Sequence, residues 1–205
     1  MFTVCFRSRS TIQFREVCNL AQVILNYPVE HSWPGTLCSV SPTTLLYEDS
    51  SAVPPAVQWL HCRDKFPKSG HSFKTQVFDI NHMFVFEDQS KQLLVTANQS
   101  EVHVYNTYSA ELVWKMRGQL PGHHSKFNLQ SITTCGVGHL FVCDGNNHCV
   151  EMFSVADGKY LGAVLKQGKQ SLGEPKKICW SEHTCSLIVA HCTDGEWSIS
   201  SSKFK

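Results

Sequence analysis

The chain has 205 residues, a formal net charge of +1 at pH 7, 42% hydrophobic residues and 17% charged residues. This composition excludes a disordered chain and is sufficient for a substantial buried core. No apolar run reaches the roughly 18 residues that a membrane-spanning helix needs, so we expect no membrane partner.

The N-terminal part of the chain fits no repeat, and we predict an irregular leader over residues 1–19. The apolar segment Leu20-Ala-Gln-Val-Ile-Leu-Asn26 then predicts one strand over 20–26. The remaining sequence, 20–205, is predicted to be a single repeat domain.

Four successive segments share a pattern of apolar strands joined by turns of Gly, Asn and Asp. One apolar residue marks the same strand position in each segment, and the spacing between successive markers is 48, 47 and 47 residues. The markers are Tyr47, Val95, Val142 and Val189. The repeats are predicted at about 34–80, 81–127, 128–174 and 175–205.

A fixed period of this size, with four short strands in each unit, predicts an all-β chain with the β-propeller architecture. The last repeat holds only three predicted strands, and strand 20–26 would supply its fourth, which would leave no open sheet edge. Two interpretations stay open: a ring of about four four-stranded antiparallel repeats, or part of a larger ring such as a six-bladed one.

The third repeat contains Val142-Cys-Asp-Gly-Asn-Asn-His-Cys-Val-Glu-Met-Phe153, followed by Asp157-Gly-Lys159 and Gly173-Glu-Pro175. This combination resembles the NHL repeat, whose pattern is Val-Ala-Asp-x-x-Asn-His-Arg-Ile-x-Val-Phe with a later Asp-Gly and Gly-x-x-Pro. Cys149 stands where that family has Arg. The chain is most similar to the C-terminal propellers of tripartite-motif proteins.

The resemblance implies a ubiquitin-ligase role only where RING and B-box segments are present, and the sequence has no paired Cys/His ligand spacing. We therefore predict that this chain is not an enzyme. Its ten Cys are scattered without a Cys-x2-Cys pair, which indicates buried reduced thiols in a cytoplasmic protein. We predict no cofactor, no metal and no small-molecule substrate.

Individual polar and aromatic residues are assigned structural roles. Asp144 should accept backbone N–H groups in the turn after its strand, and His148 should pack or bond locally. Trp59, Trp114 and Trp197 are predicted to lie in the core between repeats.

Positive charge is concentrated in three predicted linkers, 63–74, 115–126 and 166–177, which hold 11 of the 18 Lys and Arg residues. Equivalent linkers of a propeller emerge on one face, so this pattern predicts a basic face. The candidate binding residues are Lys65, Lys68, Lys115, Arg117, His123, His124, Lys126, Lys166 and Lys169.

The leading functional hypothesis is a non-catalytic interaction module that binds a protein partner through loops of one propeller face. The first alternative is binding of single-stranded RNA by the basic face, with Phe66 and Phe127 available for base stacking. A less favoured alternative is a metal-dependent lyase or hydrolase that uses convergent histidines, namely His139, His148, His183 and His191.

Overall fold

The structure, a computed structural model, describes residues 3–8, 11–16, 19–28, 34–41, 44–63, 66–77, 79–88, 91–120, 122–123, 125–166 and 173–204. The described residues form five β-sheets whose strands follow one another in chain order. They contain no helix that could span a bilayer.

The first sheet consists of β1 (Thr3–Ser8), β2 (Thr11–Glu16) and β3 (Asn19–Pro28). The second consists of β4 (Pro34–Ser41), β5 (Thr44–Asp49), β6 (Ala56–Arg63) and β7 (Phe66–Lys74). The third consists of β8 (His82–Asp88), β9 (Lys91–Ala97), β10 (Glu101–Asn106) and β11 (Leu112–Arg117). The fourth consists of β12 (Leu129–Thr134), β13 (His139–Asp144), β14 (Cys149–Ser154) and β15 (Tyr160–Lys166). The fifth consists of β16 (Glu174–Ser181), β17 (Ser186–Thr193) and β18 (Glu196–Lys203).

The four predicted repeats correspond to the second to fifth sheets. Each marker residue lies in the second strand of its sheet, and all four are buried. The predicted irregular leader is wrong, because residues 3–8 and 11–16 pair as the antiparallel strands β1 and β2. The strand predicted at 20–26 is β3, which pairs with β2 in the first sheet. Among the described strands it does not supply the fourth strand of the last repeat, whose sheet holds only β16, β17 and β18.

The chain divides into two compact units, residues 1–85 and 86–205. In the first unit, Leu46, Val57 and Leu60 are fully buried. Glu48 is buried beside them, and its carboxylate accepts the backbone N–H of Thr36 and of Ile80, each at 3.2 Å. Two backbone donors offset part of the cost of burying this carboxylate.

In the second unit, the fourth and fifth sheets enclose an apolar core. Phe141 of β13 and Leu187 and Val189 of β17 belong to it and are fully buried. Trp180 stacks on Phe141 with ring centroids 5.6 Å apart. The third sheet packs on the fourth through Trp114 of β11, whose indole N–H donates to the carbonyl of Val155 at 2.7 Å.

Candidate functional site

The turn between β13 and β14 is organised by Asp144, which is fully buried. One carboxylate oxygen of Asp144 accepts the backbone N–H groups of Asn128, Asn146 and Asn147 at 3.2, 3.1 and 3.3 Å. The other accepts the Asn147 side-chain amide at 2.8 Å. The predicted structural role of Asp144 is therefore confirmed. His148 adopts a φ of 48°, a left-handed conformation that closes the turn.

Asn147 also fixes the linker that joins β11 to β12. Its side chain accepts the backbone N–H of Ser125 at 3.3 Å and donates to the carbonyl of Ser125 at 3.2 Å. Asn146 donates to the carbonyl of Lys126 at 3.0 Å. These bonds hold the linker over the turn and bring His123 to the fourth sheet.

His123, Asp144, Cys149 and Glu151 form a compact polar group, which we call the His123 cluster. Glu151 is fully buried, and one of its oxygens lies 2.9 Å from His123 Nε2 and 2.9 Å from Cys149 Sγ. Its other oxygen accepts the Tyr160 hydroxyl at 2.6 Å. Burial, and then the bond to the Glu151 carboxylate, raises the pKa of Tyr160 well above its usual range, so Tyr160 stays a donor.

The donor atoms of His123, Asp144 and Cys149 all lie within 4.8 Å of one another. The β pairing explains this closeness, because Asp144 and Cys149 face each other across β13 and β14. Cys149 and Glu151 are two residues apart in one strand and so share a face.

The equivalent positions of the third sheet are apolar. There Val95 takes the place of Val142, so Ala97 stands for Asp144, Val102 for Cys149 and Val104 for Glu151. All three are fully buried. Apart from Asp144, which its turn uses, the fold therefore does not require polar side chains at these positions. This contrast at Cys149 and Glu151 is the sequence signal that could have identified the His123 cluster.

The predicted basic residues are only partly where the sequence placed them. Lys115 and Arg117 lie in β11, not in a linker, and alternate as exposed residues with the half-buried Trp114 and Met116. Lys126 is exposed in the linker as predicted. Lys68 lies in β7 and Lys166 at the end of β15, both in strands rather than linkers, and their side chains lie outside the description. Residues 65, 124 and 169 lie outside the described residues.

His123 does not belong to an open basic face, which corrects its predicted role. Its side chain is 8% exposed and its Nε2 contacts the buried Glu151 carboxylate. The linker folds back because Asn147 binds Ser125, a contact that the linker's own sequence does not reveal.

The predicted convergence of histidines is wrong. His139 begins β13 and His148 follows its end, so a six-residue strand of about 20 Å separates them. His183 is exposed in the turn before β17. His191 is buried, where it accepts the backbone N–H of Gly173 at 3.2 Å and contacts the Ser200 hydroxyl at 2.9 Å.

One face of the fifth sheet exposes apolar side chains. Trp197 and Ile199 of β18 are 66% and 77% exposed. They pair with Cys192 and Ala190 of β17, which therefore share their face. The prediction that Trp197 lies in the core is wrong, whereas Trp114 is half-buried and contacts the carbonyl of Val155 in the fourth sheet through its indole N–H.

Comparison with known proteins defines the fold. No protein-family model matches the chain, and no curated protein matches it. Among solved structures, 837 chains match, so the architecture is widespread and by itself says little about function. A chain of "Crystal Structure of Mitotic Checkpoint Complex" matches with a TM-score of 0.66 and 13% identity, over 96% of this chain and 56% of that chain. The chain thus spans little more than half of that neighbour's length, and the likeness, together with the five antiparallel sheets, shows that it has the β-propeller fold.

Proposed function

We propose that the chain is a non-catalytic protein-interaction module, and that the exposed apolar face of the fifth sheet is its principal binding surface. The observation that carries this proposal is the exposure of Trp197 and Ile199 side by side on β18. Tryptophan is enriched among the residues that dominate protein interfaces. An extended partner segment could also pair with β18, which has one hydrogen-bonded neighbour among the described strands.

The expected contribution of these two side chains follows from their exposure. Complete burial of one large apolar side chain is worth about 1.5–3 kcal/mol. Since both are roughly two-thirds or more exposed, a partner that covers them gains about 2–4 kcal/mol. Their loss should weaken binding by a factor of roughly 30 or more.

The test compares two double variants. Trp197→Ser with Ile199→Ser removes the apolar face, and Tyr108→Ser with Val137→Ser removes two equally exposed apolar side chains from turns elsewhere. Each purified protein is immobilised and exposed to nuclease-treated cell extract, and captured proteins are quantified by mass spectrometry. The prediction is a partner that the first variant loses and the second retains, with the affinity change reproduced using purified partner. Equal capture by both variants would refute the role of this face.

Light scattering of the free protein at several concentrations checks for self-association. If the wild type dimerises through this face and captures nothing else, the surface serves a second copy of the chain, and the proposal of a different protein partner fails.

We also propose that the repeats are of the NHL type found in tripartite-motif proteins. The support is the β13–β14 hairpin, in which the Asp and the Asn of the family pattern have separate structural uses. Asp144 binds the turn backbone and Asn147 binds the preceding linker at Ser125. A role in ubiquitin transfer would require further segments.

Single-stranded RNA binding is the second candidate function, and one observation favours it: Lys115, Arg117 and Lys126 are exposed in β11 and the linker that follows. If three phosphates are neutralised, log affinity should fall with log salt at a slope of about −2. Changing the three residues to Glu should abolish most of that slope.

The matched control for RNA binding changes Lys91, Lys159 and Lys203, also exposed, to Glu, which alters the net charge equally. Fluorescence anisotropy with labelled single-stranded RNA measures both variants. The RNA hypothesis fails if the two triple variants lose the same affinity, since the effect would then depend on net charge and not on position.

A further inference from the structure

We propose that the His123 cluster is a binding site for one divalent transition-metal ion, with zinc as the ion its donors suit best. The primary ligands are His123 Nε2, a carboxylate oxygen of Asp144 and the thiolate of Cys149. Glu151 supplies a fourth ligand or receives hydrogen bonds beside the ion.

The chemistry of the donor set identifies the class of ion. Imidazole, thiolate and carboxylate together are the ligands of zinc and related ions, whereas calcium and magnesium take oxygen ligands. Ligand atoms around tetrahedral zinc lie roughly 3.3–3.7 Å apart, given metal–ligand bonds of about 2.0–2.3 Å. The donor atoms of His123, Asp144 and Cys149 lie within 4.8 Å of one another. Side-chain rotation that moves the imidazole or thiol donor by about 1 Å is therefore enough to bring them to the spacing of zinc ligands.

The burial of the polar side chains in the His123 cluster supports a binding site. Asp144 and Glu151 are fully buried, and the Cys149 side chain is almost so. Buried carboxylates that are out of contact with water are costly unless cations neutralise them or hydrogen bonds satisfy them. A divalent ion would supply that charge, while His123 and the Tyr160 hydroxyl supply hydrogen-bond donors in its absence.

Hydrogen bonds outside the ligands already orient them. The Asn147 amide and three backbone N–H groups hold the Asp144 carboxylate. The Tyr160 hydroxyl holds the Glu151 carboxylate at 2.6 Å. Such supporting contacts fix ligand geometry in metal sites, and their removal typically lowers metal affinity by about 10–100-fold.

The neighbouring repeat provides the strongest argument. The third sheet fills the equivalents of Asp144, Cys149 and Glu151 with Ala97, Val102 and Val104, and folds in the same way. Asp144 is needed by its own turn, but Cys149 and Glu151 are polar groups at buried positions that accept apolar residues, and a ligand that needs them explains their presence.

Binding changes one bond at the thiol. The Cys149 S–H bond breaks, a sulfur–metal bond forms, and the proton passes to solvent, so affinity should rise with pH while the thiol remains protonated in the free protein. The oxidation state of the metal does not change.

The test uses the full chain, stripped with a chelator and titrated with Zn²⁺ and, separately, with Co²⁺. We expect one equivalent of Zn²⁺ by calorimetry and, with Co²⁺, a near-ultraviolet thiolate charge-transfer band. Cys149→Val copies the residue of the third sheet, so it should fold and lose the band. His123→Gln should lower Zn²⁺ affinity at least tenfold.

Two further variants separate this site from other thiols and from general destabilisation. Cys143→Ala removes a buried thiol from the same sheet and should leave the band and stoichiometry unchanged. Tyr160→Phe keeps every ligand and should lower affinity about tenfold. Circular dichroism confirms that each variant is folded. Absence of the Co²⁺ band in the wild type, or its persistence in Cys149→Val, would overturn the proposal and identify the cluster as a hydrogen-bonded network.

Discussion

Substitution of Gly158 by Ala tests how the third and fourth sheets pack. Gly158 lies in the β14–β15 turn with a φ of 72°. An added Cβ would lie 2.7 Å from Cδ2 and 2.9 Å from Cε3 of Trp114. The indole cannot move aside freely, because its N–H donates to the carbonyl of Val155 at 2.7 Å.

Two costs add in this variant. A left-handed conformation costs a residue with a Cβ about 1–2 kcal/mol, and forcing an extra carbon into a packed interior costs about 1–3 kcal/mol. We therefore expect a loss of about 2–5 kcal/mol in the free energy of unfolding, or roughly 5–15 °C in Tm for a chain of this size. Urea denaturation followed by tryptophan fluorescence measures the change.

Gly195→Ala is the matched control. Gly195 has a φ of 87° in the β17–β18 turn, but no atom lies within 4 Å of the added Cβ. The free energy of unfolding of this variant should fall only by the conformational cost of about 1–2 kcal/mol. If Gly158→Ala and Gly195→Ala are destabilised equally, the close packing of Trp114 on the turn is refuted. In a Trp114→Leu background, Gly158→Ala and Gly195→Ala should lower the free energy of unfolding by similar amounts.

Further predictions concern the turn acid and the buried thiols. Asp144→Ala leaves three backbone N–H groups without their acceptor and should lower the free energy of unfolding, measured by urea denaturation, by about 2–4 kcal/mol. Asp157→Ala, at an exposed position, should lower it by less than about 0.5 kcal/mol. Similar losses in the two variants would contradict the role of Asp144. Burial raises the pKa of Cys143 to about 12, so at pH 8 iodoacetamide should label the exposed Cys179 and spare Cys143 in mass-spectrometric mapping. The unfolded chain loses the Cys143 proton near the ordinary pKa of 9.0, whereas the folded state keeps it up to about 12. The free energy of unfolding should therefore be unaffected by this thiol below pH 9 and should fall as the pH rises from 9 toward about 12. A Tm that rises between pH 9 and 11 would oppose it.

The sequence predicted the repeats well because their period is fixed by strand register. Val95, Val142 and Val189 recur at 47 residues and occupy the same buried position in successive sheets. Turn chemistry was equally local, since Asp144 accepts the N–H groups of Asn146 and Asn147 within its own turn.

Features set by contacts distant in sequence were missed. His123 is buried because Asn147 binds the linker at Ser125, 22 residues earlier in the chain. The residues next to His123 in sequence do not show this contact and indicated a basic loop. Lys115 and Arg117 were assigned to a linker because charge alone does not show where an edge strand ends. The His123 cluster appears only when repeats are aligned by register, which sets Cys149 against Val102.

The apolar character of β17 on both faces has a consequence for biosynthesis. Leu187 and Val189 face the core, and Ile188 and Ala190 face the opposite side, so four consecutive residues are apolar. A short β-prone segment without charge is a typical nucleus for aggregation when its edge is free. During synthesis β17 emerges before β18, whose serine-rich sequence then pairs along that edge. Pairing with β18 therefore covers one edge of this aggregation-prone segment.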